Sequence, residues 1–334
     1  MAIQLKPVSE QVVVVTGASS GIGLATARAA AAAGARVVLA ARSADALQQA
    51  VEAIQAKGGD AIHVVADVSK ADDLRRVADA AIERFGRIDT WVNNAGVGIW
   101  GTIEETTEDD MRRLFETNFW GEVHGSLAAL PHLKRHGGAL INVGSMGSDR
   151  AIPLQGIYSA SKHAVKGFTD ALRVELEREK APVSVTLIKP GSIGTPMPQH
   201  VRNYTDREAK LPPPIYAPED VAATILHAAA HPMRNVSVGG QAWVGSMLSQ
   251  VAPGLVDWVS AKFLVDAQLG RKRRSAGDNL DHGYSHAKVR GDHQGSLIRR
   301  SLSTQSMLHP AATALTLGAA AVGIAAYALR GRRR

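Results

Sequence analysis

Between Gln11 and Lys189, short runs of β-branched residues alternate with alanine-rich stretches of helical period, and this alternation restricts the fold more than any other feature. VVVVT (12–16) precedes a helical pattern from Ile22 to Ala33, RVVLAA (36–41) one from Ala44 to Lys57, and AIHVVAD (61–67) one near 71–85. The series continues through IDTWVNN (88–94), a long helical region at 107–135, GALINVGS (138–145), a helix from about Gly156 to Lys180, and VSVTLIK (183–189). Strands joined through helices form right-handed βαβ units, so the sheet is parallel and covered on both faces. The chain therefore reads as α/β, with a doubly wound parallel sheet of about seven strands flanked by helices.

Beyond Lys189 the pattern loosens. Seven prolines fall between Pro190 and Pro218, and so long a connection in a compact domain reads as a lid or binding loop. A helix (219–231) and a last strand (235–240) close the sheet, which gives a body over 8–242. Residues 243–270 form an apolar helical extension, carrying Trp243, Met247, Trp258 and Phe263, that can face the body, a second subunit or lipid. Residues 271–309 lose hydrophobic periodicity and read as a flexible basic linker.

The final block, 310–329, carries no charge over 20 residues, enough to cross about 30 Å of hydrocarbon at about 1.5 Å per residue, so it is a candidate membrane-anchoring helix. Nine of those residues are alanine, and arginines flank both ends, so insertion is marginal and its orientation stays open.

Charge needs dividing before it is used. Residues 271–334 hold 12 Lys+Arg against 3 Asp+Glu, while the first 270 hold 26 against 28. The basic balance belongs to the tail and says nothing about the body. The RKRR run at 271–274 has no interleaved aromatics, which suits solvent or lipid headgroups better than nucleic acid. No signal peptide precedes the body and the chain has no cysteine, so a cytoplasmic body with membrane contact through the tail is the expectation. His132 and His136 share a helix face but have no third ligand nearby, so no metal is expected.

TGASSGIG (16–23) follows the first strand and opens the first helix. There Gly17 makes the tight turn, Gly21 lets backbone approach a pyrophosphate, and Gly23 allows helix to pack on sheet, as in a Rossmann-type dinucleotide fold. Ser19, Ser20 and Ile22 lie in the same turn, whose free N–H groups and helix dipole receive phosphate. The second strand ends Ala40-Ala41-Arg42, with a cation and no carboxylate where an adenosine ribose belongs, which favours NADP(H) over NAD(H).

Tyr158 and Lys162 are spaced i, i+4, so they share one helix face. An ammonium beside a phenol favours phenolate and makes the tyrosine a usable acid/base. Ser145 ends the preceding strand.

In this combination and order the motifs resemble the short-chain dehydrogenase/reductase family over about residues 10–240. TGASSGIG is similar to its TGxxxGxG, and Asp67-Val68 to its adenine-contacting acid and neighbour. Asn94-Ala95-Gly96 completes an NNAG, Asn118 stands at the catalytic asparagine, and Tyr158 to Lys162 is the YxxxK signature. The stretch from Pro190 through Ile193 and Thr195 to Met197 resembles PGxxxTxM.

The resemblance implies that Ser145 holds the substrate oxygen, Tyr158 moves its proton, Lys162 binds the nicotinamide ribose, and Asn118 fixes a relay water. Pro190, Ile193 and Thr195 would border the carboxamide. It further implies an NADP(H)-dependent alcohol–carbonyl oxidoreductase, dimeric or tetrameric through the helices near 107–135 and 156–180. A small hydrophobic carbonyl or alcohol is the expected substrate. The alternative, a catalytically idle NADP-binding scaffold or sensor at a membrane, would be expected to have lost Ser145, Tyr158 or Lys162, and all three are present.

Overall fold

The computed structural model describes residues 3–273, 278–293, 296–309 and Thr313. Seven parallel strands run β1 (Val12–Thr16), β2 (Arg36–Ala41), β3 (Ala61–Val65), β4 (Thr90–Asn93), β5 (Gly138–Val143), β6 (Val183–Pro190) and β7 (Asn235–Val238). They lie in the order β7-β6-β5-β4-β1-β2-β3. Every residue of β1 is buried because both sheet faces are covered. Val13 and Val15 join the core cluster that includes Leu24 and Ile225, while Val12 and Val14 join the one that includes Trp91 and Leu133.

Helices α1 (Gly21–Ala32), α2 (Ala44–Gln55) and α7 (Pro218–Ala230) cover the first face. Helices α3 (Ala71–Phe85), α5 (Gly121–His136) and α6 (Gly156–Arg178) cover the second. The chain turns outward in opposite directions from β1, toward β2 on one side and β4 on the other. Such a switch point opens a crevice at the carboxyl ends of the strands, where ligands bind in doubly wound sheets.

Three details differ from the sequence reading. The single helical region at 107–135 is α4 (Glu108–Phe115) joined to α5 by a π-helical turn, Glu116–Trp120, and such turns favour functional positions. The apolar extension is two helices, α8 (Gly240–Val251) and α9 (Pro253–Val259), because Pro253 cannot continue the first. Trp243, Val251, Leu255 and Trp258 on them are exposed.

The third difference is the stretch expected to be a flexible linker, much of which lies on the body. Leu269–Arg273 pairs antiparallel with Arg207–Ala209, and the helix Leu302–Leu308 packs on β7. This segment is held by backbone hydrogen bonds and ion pairs together with scattered apolar contacts, Leu280, Val289, Met307 and Leu308 among them, which show no helical periodicity in the sequence. No helix among the described residues is long and apolar enough to cross a membrane. The candidate anchor, 310–329, falls outside them apart from Thr313.

Candidate active site

The glycine-rich turn follows β1, and the Asn94-Ala95-Gly96 turn follows β4. Thr16 Oγ1 accepts from the Asn94 and Ala95 N–H groups at 3.0 and 3.1 Å, and Asn94 Nδ2 donates to Thr16 O at 2.9 Å. The two turns are thus stitched across the switch point. Gly17 has φ +66°, and a Cβ there would stand 2.7 Å from Ala95 Cα, so only glycine lets the turns touch.

A groove runs past Ser19, Ser20, Gly21 and Ile22, then Arg42 at the end of β2 and Asp67-Val68 after β3. The NAG turn and Thr195 complete its inner wall. Gly23 lies behind this lining: a Cβ on it would meet Gly17 O at 2.3 Å, so it is a packing position. Pro190 ends β6, and Ile193 is buried and bridged to Tyr216, so both support the loop carrying Thr195 from outside the lining.

Beyond Gly96 stand the candidate catalytic side chains. A Cβ on Gly96 would lie 3.5 Å from Asn118 Oδ1 and 4.0 Å from Lys162 Nζ, so the groove abuts both. Asn118 sits in the π turn, wholly buried, with Oδ1 accepting from Val97 N–H at 2.8 Å and Nδ2 donating to Val97 O at 3.0 Å. Lys162, buried on α6, donates to Val143 O at 2.7 Å.

Two residues beyond Val143, Ser145 Oγ accepts from Gly147 N–H at 3.0 Å, while its own N–H donates to Ser148 Oγ at 3.1 Å. Tyr158 lies one helical turn before Lys162, half-buried against Val97, Ile99, Leu114 and Leu280. An apolar cavity lined by Ile99, Ile103, Met111, Leu154 and Ile157 flanks the start of α6.

Glu122 was not singled out by sequence, although it lies four residues after Asn118. Neither of its carboxyl oxygens has a hydrogen-bond partner, and Lys162 Nζ stands 3.9 Å away. Burial pushes its pKa up to about 8, against the opposing pull of the Lys162 charge and the Val143 backbone.

A proton held by the folded but not the unfolded chain makes stability fall as pH rises from about 4.5 to about 8. Glu122→Gln removes that titration. Its stability should exceed the parent's at pH 8 by an amount on the order of a few kcal/mol, and match it near pH 4.5. Denaturant unfolding at the two pH values is the measurement, and an equal difference at both would contradict it.

The C-terminal segment also reaches the groove, which the sequence gave no sign of. Asn279, His282, Gly283 and Tyr284 line it opposite the glycine turn. Arg42 is correspondingly engaged: Nη1 donates to Leu280 O at 3.0 Å, and Nη2 to Asn279 O and His282 O at 2.6 and 3.0 Å.

The short chain dehydrogenase family model matches residues 11–206. The chain belongs to this family. Similarity to the Bacillus subtilis protein named uncharacterized oxidoreductase YxnA, at 44% identity, spans 99% of this chain and 94% of that one. A short-chain dehydrogenase/reductase from Burkholderia phymatum in complex with NAD has a TM-score of 0.66 at 29% identity, covering 73% of this chain and 94% of its own. An alcohol dehydrogenase from the archaeon Thermococcus sibiricus complexed with 5-hydroxy-NADP has a TM-score of 0.60 at 29% identity, covering 68% and 95%. The protein is an oxidoreductase of the short-chain dehydrogenase class.

Proposed function

We propose that this short-chain dehydrogenase interconverts an alcohol and a ketone or aldehyde with NADP(H), using Tyr158 as acid/base. The observation that carries the reading is the meeting of the groove with Asn118 and Lys162 at Gly96, with Ser145 and Tyr158 on the elements beside them. The groove suits a dinucleotide, since Gly17 and Gly21 both adopt positive φ and line it at the head of α1 without side chains that would fill it. When bound, the nicotinamide exchanges a hydride with the substrate carbon.

The chain's own residues do the rest. Ser145 Oγ holds the substrate oxygen, and the Tyr158 hydroxyl gives or takes its proton. Lys162, anchored on Val143 O, holds its charge near the phenol and the ribose, and Asn118 fixes a water leading protons outward. The apolar cavity beside α6 supports a hydrophobic substrate.

Arg42, with Ala41 in place of a carboxylate, supports NADP(H). Three of its N–H groups serve the C-terminal segment, which leaves two for a 2′-phosphate. Exposed Leu127 on α5 and Val174 on α6 support a homo-oligomer through those helices. The exposed face of α8 and α9, next to Lys262 and the exposed Arg271, Lys272 and Arg273, supports contact with an anionic bilayer carrying such substrates.

The test is a panel of carbonyls and alcohols assayed with NADPH and NADH side by side. NADPH should support faster turnover of the apolar members, and a preference for NADH would overturn the Arg42 argument. In the same preparations, light scattering reads the oligomer. Vesicle flotation reads the bilayer contact, and absence from floated anionic vesicles would remove it.

A further inference from the structure

Residues 278–293 lie outside the stretch that the family model matches, yet Asn279, His282, Gly283 and Tyr284 line the groove and their neighbours touch the elements around it. At the substrate end, Arg202 pairs with Asp278 and Asp281 as well as with Asp110 on α4, and Arg113 also reaches Asp281. At the end of β2, the carbonyls of Asn279, Leu280 and His282 hold Arg42. At the head of α1, the Gly21 N–H donates to Lys288 O at 3.0 Å. At the loop carrying Thr195, Gly291 N–H donates to Gly194 O at 3.1 Å, and Arg290 pairs with Glu219.

We propose that residues 278–293 form a strap that completes the dinucleotide site from outside, so that a bound dinucleotide enters and leaves only when the strap lifts. The inference rests on the dinucleotide reading of the groove and adds the adenosine-side wall made by Asn279, His282, Gly283 and Tyr284. The strap is built to open. Leu280 is its one buried side chain, Ala287 and Val289 pack half-buried on the core, and the rest is held by partly exposed ion pairs, each worth about 0–1 kcal/mol, and by hydrogen bonds that water can replace. Its hold on Gly21 also takes one of the amides that a phosphate would meet at the head of α1, so ligand and strap must adjust to each other there.

The chain has no cysteine, which allows a direct test. A Cβ on Gly283 would stand 3.4 Å from Ser43 Cβ, close to the spacing of a disulfide, so Ser43→Cys with Gly283→Cys can lock the strap to the start of α2. With the bond oxidised before mixing, NADPH fluorescence should show no binding until reductant is added. With the bond formed after loading, NADPH should survive gel filtration until reductant releases it.

A second variant opens the strap instead. Asp278→Asn with Asp281→Asn cuts its ion pairs to Arg202 and should speed NADPH release about tenfold, the equivalent of two weak pairs. Unchanged exchange in the oxidised pair, or unchanged release in the charge variant, overturns the strap. A parent protein that binds neither NADPH nor NADH overturns the dinucleotide reading itself and the strap with it.

Discussion

Tyr158→Phe should abolish turnover while leaving NADPH binding nearly intact. The substitution keeps the ring packed on Val97, Ile99, Leu114 and Leu280 and removes one oxygen. The loss is therefore chemical rather than architectural. Without a positioned acid/base the rate falls by about 100- to 10,000-fold. Cofactor affinity should hold, since Tyr158 is not among the residues lining the glycine-turn groove. Steady-state rates against fluorescence-measured Kd separate the two, and retained full activity would sink the assignment.

Gly23→Ala should do the opposite, damaging the groove before the chemistry. Its new methyl would meet Gly17 O at 2.3 Å, Asn94 Nδ2 at 2.5 Å and Gly17 C at 2.8 Å. Two of those atoms are backbone of the phosphate turn, and the third is the amide that stitches it to the turn after β4. Something must shift, and overpacking of this kind costs about 1–3 kcal/mol. If α1 moves away from β1, the amides at its head move with it. Dinucleotide affinity should drop about tenfold to a hundredfold, with a lowered Tm. An affinity equal to the parent's would mean that close packing at Gly23 is not needed for the site.

The strands and their parallel, two-sided sheet were legible because β1, β2 and β3 alternate with helices at regular spacing, and because buried parallel strands read as unbroken apolar runs such as VVVVT. Asn118, Ser145, Tyr158 and Lys162 were legible as motif positions, and the structure brings Asn118 and Lys162 to the groove at Gly96. Glu122 was not, because nothing in a sequence marks a carboxylate that ends up without a donor. The strap escaped for a different reason. Its contacts are made by main-chain carbonyls, as at Arg42, and carbonyls carry no residue-specific signature. Arg42 shows the same limit from the other side: its place beside a ribose site was readable, but its engagement with residues some 240 positions away was not.

The stitching of β1 to β4 has a consequence for how the protein is made. Val13 pairs with Thr90, and Thr16 bonds to Asn94, across a separation of nearly eighty residues. The glycine turn comes with β1, the Asn94 turn only after β4, and Thr195 and Asn279 later still, so the groove is whole only once distant parts of the chain have met. Contacts this distant in sequence form slowly. Dinucleotide in a refolding mixture therefore meets a complete groove only after the central seam of the sheet has closed.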